Sequence, residues 1–131
     1  MAAEEVIHAY RHLYRAALRA VCFSQPASTV ARDQLRRAFR DKTRTFNKST
    51  IRRTVWFLNN AARETGTEHK IVKSLLFTQW CREKNRRVPW KHITDPSYKK
   101  KEDLIKDTAY VHYEHTIAML NKTMGLCLPL R

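Results

Sequence analysis

The sequence predicts an all-α chain: an antiparallel bundle of three to four helices, then an irregular basic segment and one C-terminal helix. Three observations carry this expectation. Apolar residues recur three and four apart, as in Val6, Tyr10, Leu13, Ala17 and Val21, which is one face of a helix. Only two glycines and four prolines interrupt 131 residues, which suits helices joined by short connections. The breakers fall between the periodic stretches, at Pro26, Gly66, Pro89, Pro96 and Gly125. The length suits a single small core, and a hydrophobic fraction of 43% can supply it. The bundle is expected over residues 1–84, and the extension with its helix over 85–131.

Helix one is expected from Glu4 to Phe23, with Glu4 and Glu5 suited to the positive end of the helix dipole. Opposite its apolar stripe, Arg11, Arg15 and Arg19 recur every four residues, with His8 and His12 beside them. Like charges at this spacing cost an isolated helix about 0.2–0.5 kcal/mol per pair. No acid lies between Glu5 and Asp33 to relieve them, so the row makes sense if something anionic covers it. Pro26 breaks the helix by disfavouring helical geometry in the residue before it. Ser28 or Thr29 then caps helix two, expected over Thr29–Thr43. Its apolar face is Val30, Leu35, Ala38 and Phe39, and its other face repeats the arginine row as Arg32, Arg36 and Arg40. Arginine matches phosphate and carboxylate with two parallel hydrogen bonds.

Asn47 or Ser49 caps helix three, expected over Thr50–Glu64 with Ile51, Val55, Leu58 and Ala62 inside. Trp56 and Phe57 widen its apolar face and are expected to pack on the core or a following segment, or to meet a partner. Gly66 is expected to stop the helix in the left-handed conformation. Helix four follows over Thr67–Lys84, with Ile71, Val72, Leu75, Leu76, Gln79 and Trp80 inside and Lys70, Lys73 and Arg82 outside.

The composition then changes. Lys84, Arg86, Arg87, Lys91, Lys99, Lys100 and Lys101 are opposed by Asp95 alone, with Trp90 and Tyr98 interleaved. Cations for phosphates and flat rings for bases make an RNA-binding segment; a basic loop whose rings dock on the protein's own helices has the same composition. A last helix is expected over Glu102–Met124, with Leu104, Ile105, Thr108, Val111, Ile117, Leu120 and Met124 along one side, stopped by Gly125. The apolar tail 126–131 would be a liability if exposed and is expected to pack on this protein or a neighbour.

The net charge is +14, from 26 Lys and Arg against 12 Asp and Glu. It points to a polyanionic partner: nucleic acid, an acidic protein or an anionic membrane surface. Cys22, Cys81 and Cys127 are widely spaced and odd in number, which suits free thiols in a reducing compartment. No apolar run approaches the ~20 residues of a transmembrane helix. The acidic start suits neither a secretory signal nor a cleavable presequence, whereas residues 6–23 are basic and amphipathic enough to act as an uncleaved targeting helix. Import of a truncation beginning at Val30 would contradict that.

No catalytic constellation is legible. His8 with His12, and His112 with His115, stand at helical ligand spacing, but no further ligand completes a metal set. No phosphate-cradling glycine loop and no nucleophile elbow is present. The expectation is a protein that is not an enzyme, with no metal and no cofactor of its own.

Leu13-Tyr14-Arg15, followed by Leu18-Arg19, resembles the signature of the LYR-motif family of small mitochondrial helical proteins. Leu35-Arg36-Arg37-Ala38-Phe39-Arg40 resembles that family's second helix, and Ala61, Ala62, Arg63 and Gly66 with the helix after them resemble its third section; the likeness covers about residues 4–83. The resemblance implies a matrix adaptor. Many members bind acyl carrier protein, whose acyl-phosphopantetheine chain enters a tunnel between their helices while basic residues meet its acidic helix. They serve respiratory-complex assembly, iron–sulfur cluster synthesis or the mitochondrial ribosome. On that resemblance Leu13, Tyr14, Arg15, Arg11 and Arg19 belong to the partner surface, joined by Arg36 and Arg40, while Phe39 walls the interior. Residues 85–131 depart from the small members of the family. With the charge, they make a structural component of the mitochondrial ribosome, bound to rRNA and neighbouring proteins, the leading expectation. An adaptor for acyl carrier protein is the alternative.

Overall fold

The computed structural model describes residues 2–86 and 108–130. Every regular element among them is a helix: α1 (Ala2–Ala20), α2 (Ala27–Arg40), α3 (Lys48–Arg63), α4 (Thr67–Arg86) and α5 (Val111–Met124). Short turns reverse the chain between α1 and α4, so successive helices are antiparallel. The side-by-side pairs are α1 with α2, α1 with α3, α2 with α4 and α3 with α4. The most extensive of these, α1 with α3, joins helices running the same way: Glu5 near the start of α1 pairs with Lys48 at the start of α3, at 3.3 Å.

The helix ends correct several expectations. α1 stops at Ala20 rather than Phe23, because Cys22 and Phe23 take the left-handed conformation (φ 53° and 56°). The Phe23 amide bonds to the Leu18 carbonyl (3.1 Å) and the Cys22 amide to that of Arg19 (3.0 Å), which satisfies the terminal carbonyls of the helix. α2 starts at Ala27 after Pro26 with no side-chain cap. Of the two expected caps, the Thr29 hydroxyl donates instead to Gln25 Oε1 (2.8 Å), and Ser28 is buried. α2 ends at Arg40, not Thr43, because Asp41 turns extended. The Thr43 hydroxyl and amide both donate to Asp41 Oδ1 (2.6 and 3.0 Å) and hold its carboxyl below its ordinary pKa.

Asn47 rather than Ser49 caps α3, its Oδ1 accepting from the Ser49 amide at 3.1 Å. Gly66 is not left-handed. α3 ends in an extended Glu64, and the Gly66 carbonyl opens α4 by accepting from the Lys70 amide (3.2 Å). Gly125 ends α5 as expected, and it is this glycine that takes the left-handed conformation (φ 66°). Lys84 and Arg86, expected in an irregular segment, belong to the last turns of α4.

The core is built from Leu13, Ala16 and Ala20 of α1, Ala31 of α2, Phe57, Leu58 and Ala61 of α3, Val72, Leu75 and Leu76 of α4, Ile117 of α5, and Leu126 and Leu128 of the tail. On α3 the buried set includes Thr54, Phe57 and Ala61, whereas Ile51, Val55 and Ala62 are only half-buried, so the core face lies slightly off the expected stripe. Trp56 and Phe57 divide: Phe57 is fully buried and Trp56 is 58% exposed. Val111 and Met124, expected along the inner side of α5, are exposed, while Ile117 is buried.

The tail packs on its own chain. The Asn121 side chain clamps Leu128 twice, donating to its carbonyl (2.9 Å) and accepting from its amide (3.0 Å). The Cys127 amide donates to Thr54 Oγ1 on α3 (3.0 Å). Arg82, expected to face out, is the far anchor. Its guanidinium bonds to Glu114 (3.0 Å) and the Leu130 carbonyl (3.1 Å) and lies 4.1 Å from the centre of the Tyr110 ring. The seating of α5 and the tail against α4 buries a residue that the α4 pattern alone places outside. No helix among the described residues is long and apolar enough to cross a membrane.

Candidate functional site

α2 is short of large buried residues. Its fully buried positions are Ser28, Ala31 and Gln34, while Leu35, Ala38 and Phe39 are half-buried. Those three line a cavity of about 360 Å³, Leu35 and Phe39 also packing on the edge of the core. The rest of the wall is Ala31 and Gln34 of α2, Leu13 and Ala17 of α1, Thr50, Ile51, Thr54 and Leu58 of α3, Ile71, Val72, Leu75 and Leu76 of α4, and Cys127, Leu128 and Pro129 of the tail. The volume lies within the ~300–1,000 Å³ range of small-molecule sites.

Val6, at the start of α1, and Asp41, Arg44, Thr45, Phe46 and Asn47, in the connection from α2 to α3, also line the space. The five connection residues are exposed, so the cavity opens at this end of the bundle. Its interior carries no charged side chain; the charges are at the rim, where Arg44 pairs with Asp41 at 3.3 Å.

Tyr10 stands edge-on to Phe39, with ring centres 5.2 Å apart. Their chain neighbours Arg11 and Arg40 are therefore exposed at the same level of the bundle, close to the mouth. Arg36, one turn before Arg40, is exposed and lies 3.9 Å from Asp33. Arg44 lines the opening, and Arg40 stands in the chain between the lining residues Phe39 and Asp41.

The expected partner surface is thus divided. Residues four apart on a helix drift about 40° per step, so the row Arg11, Arg15, Arg19 turns from the α2 side of α1 towards the α3 side. Leu13 of the motif is buried in the core. Tyr14 is half-buried, its ring 5.9 Å from that of Tyr10 and 5.9 Å from the Arg32 guanidinium carbon. Arg15 and Arg19 are exposed, and Arg19 Nε donates to the Arg15 carbonyl at 3.4 Å.

Of the expected RNA-binding residues, Lys84 is exposed, its ammonium 4.9 Å from the Trp80 ring centre. Arg87, Trp90, Lys91, Tyr98, Lys99, Lys100 and Lys101 lie outside the described residues, as do Leu104 and Ile105 of the expected last helix. Among the described residues no group of three potential metal ligands forms, so His8 with His12 and His112 with His115 remain pairs.

Fold and site together define an all-helical bundle with an apolar internal cavity and a basic rim. No family model, curated protein or solved structure matches the chain.

Proposed function

We propose that this protein is a non-catalytic adaptor that seats an acyl chain, presented by an acidic acyl carrier protein, between its helices. The observation that carries the reading is the cavity of about 360 Å³, mostly apolar within and lined at its mouth by Arg44, with Arg11, Arg36 and Arg40 exposed on α1 and α2. The cavity has the volume of a small-molecule site and opens to the surface, so it fits a ligand that enters from outside. An alkyl chain suits these mostly apolar walls, since each buried CH2 contributes about 0.8 kcal/mol; Gln34 is a buried polar residue of the lining to which such a chain offers no hydrogen bond. The phosphate of a phosphopantetheine arm and the carboxylates of the carrier helix would remain outside, on the guanidinium groups at the rim. The chain would enter past Val6, Phe39 and Phe46. Of the residues that resemble the LYR-motif pattern, Phe39 on the cavity wall agrees with this placement, while Arg15 lies farther round α1; the likeness implies the mitochondrial matrix.

Co-expression tests the reading. Wild-type protein should co-purify with acyl carrier protein in one-to-one amount. Ala38→Trp, which fills the cavity, should reduce that by at least ~10-fold while remaining helical. Equal recovery of carrier with the filled cavity contradicts the proposal.

A second reading is a structural component of the mitochondrial ribosome, bound to rRNA and ribosomal proteins. It is favoured by the excess of 26 basic over 12 acidic residues, more than one carrier footprint uses. The two roles are compatible. Under this reading the protein should co-sediment with a ribosomal subunit at moderate salt; migration only with a small complex contradicts it.

A further inference from the structure

Next to the cavity mouth, and sharing Phe46 and Ile51 with the cavity lining, the α1–α3 seam forms a groove of about 420 Å³. His8 and His12 line it from α1, and Lys48 and Arg52 from α3. Trp56, one turn after Arg52 on the same face, leaves 58% of its surface exposed. The α1 stripe continues beyond the histidines as Arg15 and Arg19, seven residues after His8 and His12 respectively. Acids are scarce here: α3 contains none, and those of α1 are Glu4 and Glu5 in its first turn. Glu5 lies in the groove and pairs with Lys48 at 3.3 Å.

We infer that this groove is a seat for single-stranded RNA, its phosphates held by Arg52, Lys48 and the α1 stripe and one base stacked on Trp56. Lys48 and Arg52 on the α3 side, with Arg15 and Arg19 farther along α1, can follow a chain of evenly spaced charges, and the exposed indole one turn after Arg52 supplies a flat platform open to any base. An acidic helix would use the charges but has no need of the ring. The inference deepens the ribosomal reading and is independent of the ligand of the cavity. It also accounts for the drift of Arg15 and Arg19 away from the mouth, which leaves them unused by a carrier docked there.

The test is anisotropy of a fluorescein-labelled oligouridylate of about 12 nucleotides with the full chain, at about 50 and about 200 mM salt. Arg52→Glu should weaken binding about tenfold or more and lower the log–log salt slope by about 0.7. Trp56→Ala, at an exposed position that the fold does not need, should weaken it between about 5- and 100-fold. Lys73→Glu, the same charge change on the exposed face of α4, should change it less than about threefold. The inference is overturned if Arg52→Glu and Lys73→Glu act equally, if Trp56→Ala has no effect, or if polyglutamate binds where RNA does not. RNA binding that survives both groove variants removes the groove but leaves RNA contact by the basic segment standing; no RNA binding by the wild type removes both.

Discussion

Cys22 sits where helix-terminating turns usually carry glycine. Its φ of 53° brings Cβ close to the backbone, a conformation that costs a non-glycine residue about 1 kcal/mol or more. Its side chain is exposed, so little packing offsets that cost. Cys22→Gly should therefore stabilise the protein by up to about 1 kcal/mol, raising the thermal midpoint by a few degrees; a lower midpoint would mean that the thiol makes a contact worth more than the strain. Tyr113 gives a second check at this scale. Burial pushes its phenol above its ordinary value of 10.0. The folded chain thus holds that proton more tightly than the unfolded one. The resulting stability is complete below pH 10 and is lost as pH rises through the folded value. Denaturation between about pH 9.5 and about 11 should cost wild type more than Tyr113→Phe; parallel curves would contradict it. Part of this scale was legible: residue type narrowed the α3 cap to Asn47 or Ser49 and placed a helix stop at Gly125, but it also expected a left-handed Gly66 that the chain does not adopt. What else was not legible came from partners distant in sequence. Asn121 and Arg82 read as polar positions on helical faces, and only the returning tail gives them buried work to do.

At the scale of elements, the positions of α1 to α4 followed from periodicity and breakers, with ends displaced by local turns. The apolar face of α2 was also legible, but periodicity cannot say whether such a face meets packed side chains or a cavity. Leu35, Ala38 and Phe39 look like core in the sequence and line the cavity in the structure. The tail shows the same limit: its apolarity called for cover, yet nothing in it named Thr54 and Asn121 as its attachments. Asn121→Ala removes both side-chain hydrogen bonds to Leu128 and leaves a buried amide and carbonyl without those partners. It should cost about 1–3 kcal/mol and increase proteolysis after Gly125, because the tail forms one wall of the cavity. Unchanged unfolding and cleavage would mean that Leu126 and Leu128 hold the tail by burial alone.

Across the whole molecule, the arrangement of helices decides where the charge goes. Because α1 packs on both α2 and α3, its arginine row is shared between two exposed faces. One lies towards α2, where Arg36 and Arg40 are exposed and Arg44 lines the cavity mouth, and the other lies towards the α1–α3 groove, which Arg52 lines. Such a molecule should bind anionic partners with affinity that falls steeply with salt. The interior behaves differently, since transfer of an alkyl chain into an apolar cavity is weakly affected by ionic strength. Salt should therefore weaken capture of an acylated carrier without abolishing it. Calorimetric titration of the protein with carrier bearing a chain of about eight carbons, against the same carrier with a bare phosphopantetheine arm, tests the central claim most directly. At about 0.8 kcal/mol per buried CH2, even half-burial of the chain predicts at least ~100-fold tighter binding of the acylated form, and Ala38→Trp should abolish the difference. Equal affinity for the two forms in the wild-type protein would contradict the account.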